Sequence, residues 1–307
     1  MGRKIILCPA VYKIRAWNDP YLFLFEKMRT EFGFEVLFSD TPDIPINTDI
    51  LFTFAIPQHD RVTLMIKEIL SIPSHTKVIA YMRDLQTYDN KLVENTMKVM
   101  FQRYDKILSP SKQVFEELYP EFIDKMIFFP DFFSPHERYT RLEINKDPIQ
   151  MCLLSGAFNP KVYTIRDYII KNGNGDKIVH VPPPYPPPFP FQHDFKGDKY
   201  AGLLNKFECC VTESGIYPYV VTKCLEIPAA GSLLLTNHVK DMDTMGFIPN
   251  IHYVPITKDN VLTKIDEVLN NPSRFTMVKN EGRKMVLSSH SLNNRIEQLR
   301  GILKEGF

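Results

Sequence analysis

The sequence VTKCLEIPAAGSLLLTN, residues 221–237, carries the strongest structural signal in the chain. Its first part has a helical pattern that places Thr222, Lys223 and Glu226 on one face, because residues three and four apart on a helix are neighbours. A glycine then predicts the end of that helix. The apolar run Ser232–Thr236 predicts a strand buried on both faces, which is typical of a parallel sheet.

The charged side chains of this stretch indicate a binding chemistry. A lysine near a helix N-terminus suits a phosphate, and the Glu226 carboxylate, one turn after Lys223, suits the hydroxyls of a ribose. Together they indicate a binding site for a nucleotide sugar. The alternative is a Lys–Glu pair on a helix surface, although such pairs stabilise best with Glu first. Pro228 is expected to bend or shorten the helix, but only beyond both charges.

Length and composition narrow the classes of protein. A chain of 307 residues favours two domains. A net charge of +1 argues against nucleic-acid binding by broad phosphate neutralisation. No run approaches the roughly 20 apolar residues of a membrane span, and the N-terminus leads into a strand rather than a signal peptide. No integral membrane segment and no nucleic-acid partner are therefore expected.

The five cysteines, Cys8, Cys152, Cys209, Cys210 and Cys224, form no CxxC pair. Most lie in apolar runs, so the pattern favours buried free thiols over disulfides or a metal site. Thiols of this kind fit a reducing compartment. The sequence therefore predicts a cytoplasmic protein.

Strand and helix signals alternate along the whole chain. This rhythm predicts an α/β fold of two Rossmann-like, doubly wound domains that face a cleft. We expect an N-terminal domain over 1–140, a C-terminal domain over 141–290 and a final helix, 291–307, that packs back on the N-terminal domain. The polar stretch 134–148 is expected to be an interdomain linker.

A loop in the second half also has anion-binding character. Ser155 and Gly156 follow a predicted strand, and Asn159 with the next proline predicts the start of a helix over 161–171. Free N–H groups at a helix start favour an anion, and glycine permits close backbone approach. Diphosphate or sugar contact is one interpretation, and an ordinary strand-to-helix turn is the other. Arg166, on that helix, faces either the cleft or solvent.

The loop 213–219 follows a predicted buried strand and precedes the Lys223 helix, so it should line the crevice. Ser214, Tyr217 and Tyr219 are candidates for contacts with sugar hydroxyls or phosphate oxygens, and a packed aromatic loop is equally consistent. The fingerprint GxGxxG is absent, which disfavours a nicotinamide or flavin cofactor.

Two further motifs have structural explanations that we favour. Asp241 and Asp243 form a DxD like that of metal-binding sugar transferases, but a solvated acidic loop explains them better. The proline-rich run 182–191 reads as a rigid loop at the edge of the cleft rather than a ligand for an SH3 or WW domain.

A base that activates an acceptor hydroxyl should come from the N-terminal half. Asp19 is our first candidate, and His59, Asp60 and Asp84 are the alternatives. Each has a structural explanation as well; Asp19, for example, can simply cap its helix.

The C-terminal half resembles the GT-B glycosyltransferases of the glycosyltransferase 1/4-like, CgeB-type group. The core of the resemblance is KCLEIPAAGSLLLT, residues 223–236. Weaker matches are LLSGA at 153–157 with Arg166, YAGLLN at 200–205, MGF at 245–247, and a tail with Gly282, Arg283, His290 and Arg295. The resemblance spans about 150–300.

The resemblance implies a metal-independent glycosyltransferase with no cofactor besides its donor. Glu226 is implied to hold the donor ribose, Lys223 the diphosphate, and the loop near His180–Tyr185 the nucleobase. UDP is the favoured nucleotide, and a hydroxyl of a glycan or other molecule is the acceptor. Related retaining enzymes carry a Glu where this chain has Pro218, so inversion is mildly favoured. The alternatives are a nucleotide-sugar epimerase or hydrolase on the same fold, or a non-catalytic proline-rich interaction protein.

Overall fold

The structure is a computed structural model, and it describes residues 2–8, 19–39, 44–55, 62–83, 85, 90–156, 159–181 and 197–306. The chain divides into two compact units. Met1–Pro130 together with Arg295–Phe307 form the N-terminal unit, and Asp131–Asn294 form the C-terminal unit. Each contains one parallel sheet, so the predicted α/β fold with two sheets is confirmed.

The sheet of the N-terminal unit has six strands. They are β1 Arg3–Cys8, β2 Glu35–Phe38, β3 Thr48–Ala55, β4 Lys77–Met82, β5 Lys106–Ser109 and β6 Met126–Phe128. Neighbouring strands run parallel in the order β2-β1-β3-β4-β5-β6. The helices of this unit that precede the boundary are α1 Asp19–Phe32, α2 Val62–Ser71, α3 Lys91–Arg103 and α4 Lys112–Leu118.

The central strands of this sheet are covered on both faces. Every residue of 78–82 in β4 is fully buried, which is why the strand reads as one continuous apolar run. Helix α3 packs Met97, Met100 and Phe101 into the same core. Its first turn is capped by Asn90, whose side-chain oxygen accepts from the backbone N–H groups of the second and third helical residues.

The sheet of the C-terminal unit has five strands. They are β7 Ile149–Ser155, β8 Ile178–Val181, β9 Phe207–Val211, β10 Leu233–Thr236 and β11 Val254–Pro255. All pairs are parallel, in the order β11-β10-β9-β7-β8. The chain therefore steps from β7 to one side and then returns to build the other side. This makes the edge at β7 and β9 a topological switch point, where ligands bind in open α/β sheets.

Eight helices are assigned among the described residues from Asp131 onwards. They are α5 His136–Thr140, α6 Thr164–Asn172, α7 Gly197–Lys206, α8 Lys223–Ala229, α9 Lys240–Thr244, α10 Val261–Asn270, α11 Thr276–Ser289 and α12 Leu292–Glu305. Helix α12 continues into the N-terminal unit, where Arg300 pairs with Glu31 at 2.7 Å and Gln298 donates to the Phe128 carbonyl at 2.8 Å.

The stretch that opened the sequence analysis folds as predicted. Helix α8 carries Lys223 at its first position and Glu226 one turn later, and Pro228 shortens it to seven residues. Gly231 follows at φ +86°, a left-handed conformation that favours glycine at the end of a helix. The strand β10 is then completely buried.

Three local predictions are wrong. The stretch 134–148 is not a bare linker, because it forms α5 inside the C-terminal unit and buries Tyr139. Asp241 and Asp243 lie on the short helix α9 rather than in a loop. The helix expected over 161–171 begins only at Thr164, because Asn159 closes a turn by accepting from the N–H groups of residues 162 and 163.

All five cysteines are buried and free, as the sequence indicates. Among the helices of the described residues, none combines the length and the hydrophobicity of a membrane span.

Candidate functional site

The site residues converge on the carboxyl edge of the C-terminal sheet. Strands β7 and β9 pair side by side, with Leu154 opposite Val211. Ser155 is the last residue of β7 and Gly156 follows it, while the loop from Thr212 to Ser214 follows β9. Because parallel strands end at the same edge, the two loops meet at the switch point. Helix α8 begins after the second loop and brings Lys223 to the same place.

Gly156 lies at the centre of a cationic pair. A Cβ added to this glycine would lie 2.6 Å from the Lys223 Nζ and 3.0 Å from the Arg166 Nη1. The φ of Gly156 is +123°, a conformation that side chains rarely adopt. The sequence requires glycine here for two reasons, backbone conformation and the close approach of two positive charges.

Arg166 is held in place by the loop after β9. Its side chain is 3% exposed, which excludes the solvent-facing alternative. The guanidinium donates to the Thr212 hydroxyl at 3.3 Å and to the Glu213 carbonyl at 3.2 Å. It also covers the Tyr163 ring at 4.1 Å from the centroid.

The Glu213 carboxylate is buried and caps helix α6. It accepts from the backbone N–H groups of Ile165 at 3.1 Å and Arg166 at 2.7 Å. Burial raises the Glu213 pKa above its ordinary value, and these hydrogen bonds oppose that shift. The expectation that this helix start offers free N–H groups to a diphosphate is therefore wrong, because an internal carboxylate already occupies them.

Lys223 is a partly buried cation. Burial lowers its pKa from 10.5 to about 8, with a further contribution from the positive charge of Arg166. The nearby Glu226 charge acts in the opposite direction. In the part of the chain that the structure describes, its ammonium makes no hydrogen bond or ion pair. A Lys–Glu pair on a helix surface does not describe this arrangement.

Thr222, a candidate for contact with the nucleotide sugar, lies directly before α8. Its hydroxyl donates to the Asp131 carboxylate at 3.1 Å instead of capping the helix. Asp131 is 5% exposed and is the first residue of the C-terminal unit. Thr222 therefore ties the start of α8 to the start of the unit.

Glu226 is partly buried among polar groups. Its Oε1 accepts from the Tyr139 hydroxyl at 3.4 Å. Burial raises the Glu226 pKa, whereas the charges of Lys223 and Arg138 and the Tyr139 hydrogen bond lower it. A second phenol is close: the Tyr200 pKa lies well above its ordinary value because of burial and then because of the Glu226 charge.

Ser155 connects the end of β7 to this group of phenols. Its hydroxyl hydrogen-bonds with the Tyr200 hydroxyl at 3.1 Å. Ser155 is 3% exposed, so its hydroxyl is an internal support. The carboxylate of Glu226 thus has one tyrosine linked to β7 and another supplied by α5.

The loop after β9 contains the remaining polar candidates. The Ser214 N–H donates to the Asn237 side chain at 2.9 Å, while its buried hydroxyl has no hydrogen-bond partner among the described residues. The rings of Tyr217 and Tyr219 stack with centroids 6.2 Å apart. Both side chains are half-buried. The two rings therefore pack together, as a packed aromatic loop predicts, and each remains partly accessible to solvent.

His180 lies on β8, next to β7, and is exposed. Partial removal from water and then the charge of Arg166 lower its pKa below the ordinary value, while a hydrogen bond with the Gly156 backbone opposes the shift. His180 therefore lies close to the cationic pair, and its ring favours the neutral form.

The acceptor-side candidates remain predictions. His59, Asp60 and Asp84 lie outside the described residues, as does the proline run 182–191. Asp19 begins helix α1, and its side chain lies outside the described part of the structure. Asp241 is buried on α9, and the described residues contain no group of three His, Cys, Asp or Glu side chains placed to hold a metal ion.

Sequence reasoning missed four residues of this site: Asp131, Tyr139, Tyr200 and Glu213. Tyr139 and Asp131 lie near stretches without a periodic pattern, and a five-residue helix such as α5 has none to show. Glu213 offered a usable signal, because an acid directly after a buried strand must find a partner. Tyr200 belongs to the YAGLLN match at 200–205, which does not indicate a role for its side chain.

Comparisons with known proteins agree with this architecture. Residues 174–301 match the family described as "Glycosyl transferase-like". No curated protein matches the chain significantly in sequence.

Several solved structures share the fold over almost their entire length. Sucrose-phosphate synthase from Thermosynechococcus elongatus is 10% identical, with a TM-score of 0.66 and coverage of 99% of this chain and 98% of that one. A glycosyltransferase from Rickettsia africae is 12% identical, with a TM-score of 0.62 and 99% coverage of both chains. HepE from Anabaena, in complex with UDP-glucose, is 9% identical, with a TM-score of 0.62 and coverage of 98% and 99%.

The narrower resemblance to the CgeB-type group stays a prediction. The chain shares the fold of these three solved structures, and its residues 174–301 are similar to the family described as "Glycosyl transferase-like".

Proposed function

We propose that this protein transfers a sugar from a nucleotide-diphosphate sugar, with a UDP-sugar as the favoured donor, to a hydroxyl of a glycan or other acceptor. The proposal is supported by the family match and by the donor named for a structural neighbour, HepE, which was solved with UDP-glucose. Its main support is internal: the geometry around Gly156.

The cationic pair at Gly156 is the observation that carries the proposal. Lys223 Nζ and Arg166 Nη1 both reach the backbone at the end of β7. Two like charges placed together in a partly buried site destabilise each other, and the Arg166 charge is, after burial, the second cause of the lowered Lys223 pKa. An anion bound between them would remove that repulsion. A diphosphate at a topological switch point meets this requirement.

Glu226 supplies the second part of the donor site. A carboxylate accepts hydrogen bonds, and the hydroxyls of a ribose are donors at the correct spacing for its two oxygens. Its position one turn from Lys223 supports the proposal that it accepts hydrogen bonds from the sugar next to a diphosphate held by Lys223. A nucleoside diphosphate offers this combination of two anionic groups and a neighbouring diol.

The transfer itself requires a nucleophile, a leaving group and a proton acceptor. The acceptor oxygen bonds to the anomeric carbon while the bond from that carbon to the diphosphate oxygen breaks, and the nucleotide leaves with the electron pair. Lys223 and Arg166 would stabilise the charge that develops on the diphosphate, in the role that a metal fills elsewhere. We infer that the reaction inverts the anomeric centre and needs no metal.

The proton of the acceptor hydroxyl goes to a base on the N-terminal unit in this proposal. Asp19 is the first candidate, with His59, Asp60 and Asp84 as alternatives. Replacing each in turn should separate them, because loss of the base lowers kcat while leaving the affinity for the donor nucleotide unchanged.

Calorimetric titration with UDP, GDP, ADP and their glucose conjugates, with and without EDTA, tests the donor assignment. We expect one nucleotide to bind, with no change on adding EDTA, and Lys223→Met to abolish binding. Lys284→Met is the matched control, because that lysine is 78% exposed in the same unit. Absence of binding to the whole panel would refute the proposal. Binding lost in EDTA would return the role of metal ligand to Asp241 and Asp243.

Incubation of the donor without acceptor tests the class of reaction. A transferase should leave the donor largely intact until an acceptor hydroxyl is added. Rapid epimerisation or hydrolysis without acceptor would instead favour the alternative enzyme classes.

A further inference from the structure

Tyr139 reaches the donor site from a part of the chain that looks like a connection between domains. It lies on the short helix α5, between the last strand of the first sheet and the first strand of the second. The side chain is 1% exposed, and its hydroxyl reaches Glu226 Oε1 at 3.4 Å. A buried phenol needs a hydrogen-bond partner, and the Glu226 carboxylate is the acceptor that this hydroxyl has.

The position of Tyr139 is fixed by several contacts within the C-terminal unit. Its ring meets the Phe133 ring edge-on, with centroids 5.2 Å apart. Arg283 donates to the backbone carbonyls of both Tyr139 and Leu142. Arg138, the preceding residue, donates to the Ser134 carbonyl at 2.9 Å. The hydroxyl therefore approaches Glu226 from a rigid support.

We propose that Tyr139 is a positioning residue: it holds one oxygen of Glu226 so that the other oxygen is presented to the hydroxyls of a bound ribose. This inference rests on the proposed function, in which Glu226 binds the donor ribose. A carboxylate that is already oriented loses less conformational freedom on binding, so the same hydrogen bonds give more affinity. The site should then distinguish a ribonucleotide from an analogue without the two hydroxyls.

The contact between Tyr139 and Glu226 is longer than most hydrogen bonds of its kind. Most hydroxyl–oxygen hydrogen bonds measure about 2.7–2.8 Å, and the Tyr139 contact, at 3.4 Å, is longer. The phenol remains a donor throughout the usual pH range, because burial raises the Tyr139 pKa well above its ordinary value.

The charges around Glu226 give a second readout. Burial raises its pKa, Lys223 and Arg138 lower it, and Asp131 raises it further. The Tyr139 hydrogen bond is among the influences that lower it, and the Tyr200 phenol is also close. Without the Tyr139 hydroxyl the carboxylate should take up a proton at a higher pH. The acid limb of nucleotide binding should shift to higher pH in the same variant.

The test compares UDP with 2′,3′-dideoxy-UDP, which lacks the diol, on the full-length chain by calorimetry. We expect the wild type to bind UDP more tightly than the dideoxy analogue. In Tyr139→Phe the Kd for UDP should rise about tenfold, as for a lost hydrogen bond to a charged group. The Kd for the dideoxy analogue should stay nearly constant, and the acid limb for UDP should shift to higher pH.

Tyr253→Phe is the matched control, because Tyr253 is a buried tyrosine of the same unit whose hydroxyl meets His238 at 2.7 Å. It should leave the ratio of the two Kd values unchanged. If Tyr139→Phe weakens both ligands equally, or neither, the positioning role is wrong. Should that variant fail to fold, Arg283→Lys, which loosens the support of Tyr139, is tested instead. It must reduce the preference for UDP, measured as the Kd for the dideoxy analogue divided by the Kd for UDP. An unchanged preference overturns the inference. A wild type that binds neither nucleotide refutes the proposed function itself.

Discussion

Replacing Lys223 by methionine should stabilise the free protein while removing its affinity for the donor. The side chain lies partly buried beside Arg166, with no hydrogen bond or ion pair in the described part of the chain. Methionine keeps most of the volume and removes the charge. When a charged side chain binds a ligand but does not stabilise the fold, its removal is expected to raise stability and lower ligand affinity.

The magnitude follows from the Lys223 pKa, which falls from 10.5 to about 8 in the folded chain. Each tenfold change in a protonation constant is worth about 1.4 kcal/mol, so full burial would cost the folded state about 3 kcal/mol. Lys223 is only partly buried, and water reduces the effect. We therefore expect Lys223→Met to raise the free energy of unfolding by about 1–2 kcal/mol at pH 7.

The sign of the pH dependence is fixed by which state binds the proton more weakly. Below about pH 8 both the folded and unfolded chains hold the Lys223 proton, so the penalty is complete. Between about pH 8 and 10.5 the folded chain releases the proton first, and the wild type gains stability relative to the variant. The difference should vanish above that range.

Urea unfolding of the wild type and Lys223→Met at pH 7 and at pH 10 measures this effect, with Lys284→Met as the exposed control. The variant should have the higher midpoint at pH 7, and most of that advantage should be lost at pH 10. A variant that is less stable than the wild type at both pH values would refute the reasoning, since it would show that the charge is already satisfied within the protein.

The structure also predicts how four further changes should alter nucleotide affinity or stability. Gly156→Ala should raise the Kd for UDP at least about tenfold in calorimetry, because its Cβ would lie 2.6 Å from Lys223 Nζ at an unfavourable φ of +123°. Glu213→Gln should lower the free energy of unfolding by about 1 kcal/mol in urea, because an amide oxygen replaces only part of the α6 cap, and should weaken UDP binding through Arg166. Glu226→Ala should weaken UDP by about a hundredfold while leaving inorganic pyrophosphate affinity unchanged. Wild-type UDP affinity should fall as the pH rises through about 8, where Lys223 loses its proton.

Each of these expectations has an outcome that contradicts it. UDP binding at wild-type strength in Gly156→Ala would place the diphosphate elsewhere. An unchanged unfolding midpoint in Glu213→Gln would mean that the helix cap contributes nothing. Parallel losses of UDP and pyrophosphate affinity in Glu226→Ala would indicate a general disruption of the site, and a flat profile from pH 7 to 9 would remove Lys223 from the binding event.

The fold was predictable because its central strands are continuous apolar runs in the sequence. Strands such as β4 and β10 are buried on both faces, and a continuous apolar run of this kind is typical of a parallel sheet covered by helices. The placement of Lys223 and Glu226 one turn apart was also predictable, because both lie on one short helix and their relative position depends on local geometry alone.

The rest of the site depends on contacts between distant parts of the chain. Glu213 meets the N-terminus of α6 47 and 48 residues away in sequence, and Tyr139 meets Glu226 at a separation of 87. Neither pairing leaves a periodic signal. The free helix N-terminus was wrongly predicted for the same reason, because the residue that fills it comes from another strand.

A crystal structure of the full-length chain with UDP would test the central claim most directly. We expect the diphosphate oxygens to lie within hydrogen-bond distance of both Lys223 Nζ and the Arg166 guanidinium beside Gly156, with the ribose hydroxyls on Glu226. A nucleotide bound away from Gly156, or one whose phosphates face solvent and contact neither Lys223 nor Arg166, would contradict it.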